Sequence, residues 1–233
     1  MHHVVLEQWS RRRSFLHARD ARAKTLATAV LLITIGTADR GFEALAPACF
    51  ALLGAVALAA RLPLGAALRR AAVVLPFCMV FAAVSLLGGE TRRAALLVSK
   101  SYLSALAVLL LVASTPLPQL LRGLESLGVP RFLLMVTQFV YRYLFVISEQ
   151  AQHMRMAAAG RGARFRAAAG ALAVLFSRSY ARAESIHRAM LARGFAGRLP
   201  TLAPPAFRAS DAAFLAGACA LTLALRLGLE RWL

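Results

Sequence analysis

Long uncharged runs alternate along this chain with short clusters of arginine. The first run, Thr25 to Ala38, makes a helix of about 21 Å at ~1.5 Å per residue, short of a hydrocarbon core of ~30 Å. It is expected to extend into its flanks, where Arg22 and Lys24 can snorkel on one side and Asp39 with Arg40 close the other. The second run, Phe42 to Ala60, is long enough by itself. Arg61-Leu62-Pro63-Leu64-Gly65 breaks it, and Arg69 with Arg70 makes the connection basic. A third span is predicted over Ala71 to Leu87, ended by Gly88-Gly89, and a fourth over Ala94 to Ser114, ended by Thr115-Pro116. Lys100 lies near one end of the fourth and snorkels to the outer interface, since at mid-membrane it would cost roughly 3 kcal/mol.

After Pro118 the pattern changes. Gln119 to Leu127 carries Leu120, Leu121, Leu124 and Leu127 at helical spacing, and Gly128-Val129-Pro130 stops it. Residues 131 to 159 form one long helix, apolar through Ile147 apart from Thr137, Gln138 and Arg142, then increasingly polar as it leaves the bilayer. A second long helix, about 167 to 193, places Leu172, Leu175, Phe176, Ser179, Ala183, Ile186 and Met190 on one stripe. Arg178, Arg182, Glu184 and Arg188 surround that stripe, with Glu184 and Arg188 at the i, i+4 spacing that supports a helix. A proline-rich loop near 204 and 205 leads to a final span, Asp211 to Leu229.

Composition places these helices in a membrane. With 60% hydrophobic residues and a mean hydropathy of +0.65, the 233-residue chain is too apolar for a soluble domain of its size. Its 28 Lys+Arg against 10 Asp+Glu leave a net charge of +18. Basic residues gathered in cytoplasmic loops reconcile the two facts. Nucleic acid is a poor fit as a partner, because the arginines are separated by long uncharged runs and form no continuous patch. Cys49, Cys78 and Cys219 each stand alone in an apolar run and read as small buried hydrophobes. The start of the chain is polar and basic through Asp20, so no cleavable signal is expected, and Met1-His2-His3 reads as a solvated end.

The expected fold is therefore all-α: a polytopic membrane protein with about five transmembrane helices and a cytoplasmic module of long amphipathic helices. Residues 1–23 form a cytoplasmic N-terminal segment, 24–115 the N-terminal transmembrane helices, 116–200 the cytoplasmic helices, and 201–233 a loop with the last transmembrane helix.

Two Arg-Gly punctuation marks close the long cytoplasmic helices: Gly160-Arg161-Gly162, and Ala192-Arg193-Gly194 followed by Phe195. Each glycine permits a left-handed C-cap, and each arginine meets the negative end of the helix dipole with its guanidinium directed outward. Ordinary capping accounts for one such terminus but less readily for two. The Arg-bearing faces also suit anionic lipid headgroups, so a pair of helices lying on the bilayer surface stays open beside a module that docks a protein.

Catalytic chemistry finds no support. Asp20, Asp39 and Asp211 are scattered, where a membrane phosphotransferase needs clustered aspartates to hold a divalent metal. No Gly-x-x-x-x-Gly-Lys-(Ser/Thr) loop is present, so any ATP hydrolysis must come from another chain. His153 and His187 are lone residues on polar faces, and no metal ligand is assigned.

Taken together, the chain resembles the transmembrane T component of energy-coupling-factor (ECF) transporters, in its cobalt-type CbiQ branch. Asp20-Ala21-Arg22-Ala23-Lys24 is similar to the family's Asp-x-Arg-x-Lys start of the first helix, and Leu127-Gly128-Val129-Pro130 to its Leu-Gly-(Ile/Val)-Pro turn. Arg142-Tyr143 with Glu149 resembles its Arg-Phe…Glu signature. Arg182-Ala183-Glu184 followed by Ala192-Arg193-Gly194-Phe195 is the nearest likeness, and Gly197-Arg198-Leu199-Pro200 points to the cobalt branch. Two departures stand out: Gly160 precedes Arg161 where the family usually has Ala, and Phe145 stands where many members carry Pro. Gly160 loosens the helix end before Gly162.

The resemblance implies a non-catalytic subunit of an ABC-type cobalt importer in the inner membrane, with no cofactor of its own and ATP bound by its partners. Those partners would be two cytosolic CbiO-like ATPase subunits and a CbiM-like substrate-binding S component, with a CbiN-like small subunit as a further candidate. It assigns ATPase docking to Arg161, Gly162, Ala192, Arg193 and Gly194, and support of the coupling helices to Arg142, Glu149, Arg182 and Glu184. A T component for nickel or a vitamin, or a conventional ABC permease docking through one short loop, stays as the alternative.

Overall fold

The computed structural model describes residues 14, 16–17, 19–38, 42–160, 165–197 and 207–230; the side chains of residue 44 and of 165–169 and 228–230 are outside that description. Every regular element among them is helical. In chain order these are α1 (Ala21–Thr37), α2 (Phe42–Ala59), α3 (Leu64–Ala71), α4 (Leu75–Leu87), α5 (Thr91–Ser114), α6 (Leu117–Ser126), α7 (Arg131–Gly160), α8 (Phe165–Ala192) and α9 (Ala209–Glu230), with a 3-10 turn, Ala72–Val74, joining α3 to α4. The chain divides into two compact units: one holds the described residues within 1–128 and 204–233, the other those within 129–203.

In the first unit α5 is the central strut, packed against α1, α2, α3 and α4, while α9 lies on α1 and α2. The core follows helical spacing. Phe42, Leu45, Cys49, Leu53, Ala57 and Ala60 face inward from α2 and its C-terminal turn, and Leu103, Leu106, Ala107, Leu110 and Ala113 answer them from α5. Alanines at 57, 60, 67, 71, 107 and 113 are 2% exposed or less apart from Ala107, so backbones approach closely, as apolar surroundings require where no hydrophobic drive pulls helices together. The outside is equally apolar. Val73, Phe77, Phe81, Val84 and Leu87 are exposed along the α4 segment, with the Phe77 and Phe81 rings edge to face at 5.2 Å. An inside-out pattern of this kind belongs in lipid.

Among the described residues, four helical segments are long and apolar enough to cross a membrane, Leu64–Leu87, Thr91–Ser114, Arg131–Gly160 and Ala209–Leu227, with Leu45–Ala59 as a shorter apolar stretch. The polytopic all-α architecture expected from the sequence is the one observed. Three details differ. Residues 64 to 70, expected as a basic loop, are helical, and Arg69 and Arg70 ride in the last turn of α3. Pro76 explains the interruption that follows, because it sits in the first turn of α4, where its missing N–H is tolerated. The first run makes a helix of only 17 residues that does not reach the length of the four spans. The long helix α7, by contrast, does.

Cations gather at the C-terminal end of α1. Lys100 donates from Nζ to the Gly36 carbonyl at 3.3 Å and stands 5.4 Å from the Phe42 ring centroid. Arg226 of α9 donates to Thr37 Oγ1 at 2.6 Å, and Arg92 meets Glu43 at 3.0 Å. Lys100 thus reaches an end of the bundle, as its snorkelling requires.

Candidate functional site

At the opposite end of α1 the Asp20-x-Arg22-x-Lys24 stretch builds a polar knot. Asp20 is the N-cap, its backbone extended (φ −61°, ψ 137°) and its Oδ1 accepting from the Arg22 N–H at 2.8 Å. Its own N–H donates to Asp211 Oδ1 at 3.2 Å, and Asp211 Oδ2 accepts from the Arg208 N–H at 3.3 Å. Arg19 lies 3.9 Å from the same Asp211 carboxylate. Lys24, buried to 4% exposure, donates to the Ser114 carbonyl at 3.1 Å and so caps the end of α5 before Thr115-Pro116. Gly123 of α6 completes the knot, because a Cβ there would lie 3.4 Å from both Ala21 Cβ and the Arg22 nitrogen.

Asp211 is the residue that sequence reasoning missed in this role. It stood among scattered aspartates, too isolated to hold a metal. Its signal was its place in the first turn of a helix, where a carboxylate caps N–H groups.

The second unit consists of α7 and α8. A cavity of about 280 Å³ lies between them, with Phe139, Tyr143 and Ile147 on one side and Ser179, Ile186 and Met190 on the other. Part of the expected stripe therefore faces the partner helix. Leu172 and Phe176 do not join it and are 67% and 75% exposed. The last residues of α7 are Ala157-Ala158-Ala159-Gly160, which offer little side-chain surface to cover them. Among the described side chains of both helices only Leu134 is fully buried.

The end of α8 is defined in detail. Gly194 has φ +78°, its N–H donates to the Leu191 carbonyl at 3.0 Å, and the Phe195 N–H donates to Met190 at 3.0 Å. These two bonds are the Schellman pattern that the Arg-Gly terminus predicts. Ala192 is the last helical residue, and Arg193, at the cap, is exposed. Arg161 and Gly162 lie outside the described residues, and α7 is described as far as Gly160.

The four support residues occupy separate places. Arg142 is exposed and lies 5.9 Å from the Tyr143 ring centroid, and Glu149 is 3.9 Å from His153 on its own helix. Arg182 lines the interhelical cavity, and Glu184 meets Arg188 at 3.2 Å. No ion pair among the described residues joins Arg142 or Glu149 of α7 to Arg182 or Glu184 of α8. Nor is there a group of three or more His, Cys, Asp or Glu placed to hold a metal ion among them.

Residues 12–202 match the family CbiQ, described as a cobalt transport protein. That stretch contains the Asp20 knot motif and the Arg193 terminus, and it ends before α9. No curated protein matches the chain. With most of its length inside the match and its helices built for lipid, this chain belongs to the CbiQ cobalt transport protein family and is a multi-pass membrane component of a cobalt-type transporter.

Proposed function

We propose that this chain is the energy-coupling T component of an ECF-type importer for cobalt ion, passing motion from two cytosolic ATPase subunits to a separate S component that captures the metal. The N-terminal segment and the polar ends of α7 and α8 then lie in the cytoplasm of a cell whose inner membrane holds the spans. The observation that carries the reading is Arg193, exposed at a helix end whose geometry Gly194 sets. A guanidinium there is always charged and can grip a carboxylate through two donors, which suits an acidic groove on a nucleotide-hydrolysing partner. Arg161 takes the same role on the second ATPase subunit. Family membership supports work alongside other subunits, and a sequence without a phosphate-binding Gly-Lys loop is consistent with ATP hydrolysis by a partner.

Losing one such arginine would cost about 2 to 5 kcal/mol at the interface, or roughly 30-fold or more in affinity. The test coexpresses the chain with candidate ATPase and S subunits and measures co-purification and cobalt accumulation. Arg193→Glu should release one ATPase subunit, and the Arg161→Ala, Arg193→Ala double variant should abolish uptake. Undiminished uptake by the double variant overturns the proposal. Accumulation of nickel or a vitamin in place of cobalt would keep the coupling role and change the cargo.

A further inference from the structure

The first unit contains a half-open cavity of about 380 Å³ lined by α1, α2, α5 and α9. Its walls are almost wholly apolar, with Leu31, Leu110, Phe214 and Leu221 among them. Lys24 and Ser114 lie at one place on that wall. The ammonium that caps the end of α5 thus also borders an apolar cavity.

The ammonium is under-used. A lysine carries three N–H donors, and Lys24 spends one, on the Ser114 carbonyl at 3.1 Å. No carboxylate lies within ion-pairing distance of its Nζ among the described residues, although Asp20 and Asp211 are in the same knot. Lys24 is 4% exposed and lines the cavity, so a further partner for its ammonium must come from the cavity side. Burying a cation without an ionic partner is expensive, so the site favours an anion.

We propose that this cavity binds a medium-chain fatty acid, its carboxylate on the Lys24 ammonium and its tail along the apolar walls between α1, α5 and α9. Size sets the chain length. A protein cavity of about 150 Å³ admits benzene, so one of 380 Å³ has room for about fifteen heavy atoms, close to laurate. The bound acid pairs with the Lys24 ammonium, and its tail gains contacts along the apolar walls.

The test uses the full chain in phosphatidylcholine nanodiscs and radiolabelled laurate, with methyl laurate as the uncharged competitor. Gly217 lines the cavity, and a Cβ there meets no atom within 4 Å, so Gly217→Phe fills the space without a clash at the backbone. Laurate should bind saturably at one site per chain, Gly217→Phe should weaken it at least tenfold, and methyl laurate should compete at least tenfold less well. Lys24→Gln should weaken laurate by a similar factor while leaving methyl laurate unchanged. Should the Lys24 variant fail to fold, Gly217→Phe and the methyl ester still decide the matter. Absence of saturable binding, or wild-type binding by Gly217→Phe, overturns the proposal. So does equal competition by the methyl ester, which would place a neutral acyl tail of the bilayer in the cavity.

Discussion

Replacing Gly194 separates the backbone geometry at the end of α8 from the charge of Arg193. The residue sits at φ +78°, and a Cβ built there meets nothing within 4 Å, so alanine adds no clash and the whole penalty is conformational. Holding an L-residue in the left-handed region costs about 1 to 2 kcal/mol, while alanine regains about 0.4 to 1 kcal/mol by restricting the unfolded chain. The net loss is about 1 kcal/mol, close to fivefold in the population of the frayed end. Hydrogen exchange reads it directly, since the N–H groups of Arg193, Gly194 and Phe195 are bonded at 3.1, 3.0 and 3.0 Å. Gly194→Ala should speed exchange at those amides about fivefold and weaken capture of an ATPase subunit by a comparable factor. Gly194→Asn, which tolerates the left-handed region, should stay near wild type in both. Wild-type exchange and capture by the alanine variant, or equal damage from asparagine, would refute the claim that this turn holds Arg193 in place.

Three further outcomes follow from the first unit. Asp211→Ala removes the acceptor of the Asp20 and Arg208 N–H groups and should cost about 2 to 4 kcal/mol, seen as a lower Tm of the purified chain; a loss below about 0.5 kcal/mol would remove Asp211 from the knot. Gly123 should change sign with size. Alanine gains helix propensity of up to about 1 kcal/mol and meets only a 3.4 Å contact, whereas leucine must push α6 off α1 at about 1 to 3 kcal/mol, so equal Tm values for the two would contradict the packing. Glu43→Gln breaks the ion pair with Arg92, but with side-chain exposures of 70% and 65% the pair should contribute less than about 1 kcal/mol, and a larger Tm change would show it is shielded from solvent screening.

Helix identity was legible because apolar period and glycine punctuation act locally. Gly194 and Gly128 both carry positive φ, +78° and +96°, at the turns where the sequence places helix ends. The 3-10 turn at Ala72–Val74 was not legible, because Arg69 and Arg70 suggested a loop, while their long side chains can leave a helix face toward the interface without breaking it. Asp211 escaped because its partner Asp20 lies 191 residues away in sequence, and local patterning carries no record of such closure. The knot motif itself was visible at Asp20, Arg22 and Lys24, but the Ser114 carbonyl that Lys24 caps is a backbone group with no residue signature. At the candidate docking site the chain discloses chemistry more readily than placement: Arg193 and its turn follow from four residues, whereas the mutual position of Arg142, Glu149, Arg182 and Glu184 depends on how two long helices lie together.

The packing of those two helices bears on why this subunit would work through partners. α7 and α8 are 30 and 28 residues long, yet only Leu134 among their described side chains is fully buried, and a cavity separates Tyr143 from Ile186. Two helices of that length covering so little apolar surface gain little from each other, and Leu172 and Phe176 stand uncovered. The first unit is the contrary case, with a continuous core from Ile35 to Ala113 and its polar ends tied through Asp211, Lys24, Lys100 and Arg226. A transmission element gains from this difference. Ligands and partners can shift an element between arrangements only by as much as they bind one better than the other, so a loosely packed pair responds to a few kcal/mol where a packed bundle does not. On the proposed coupling role, the exposed Leu172 and Phe176 of α8 are surface reserved for contact with a partner.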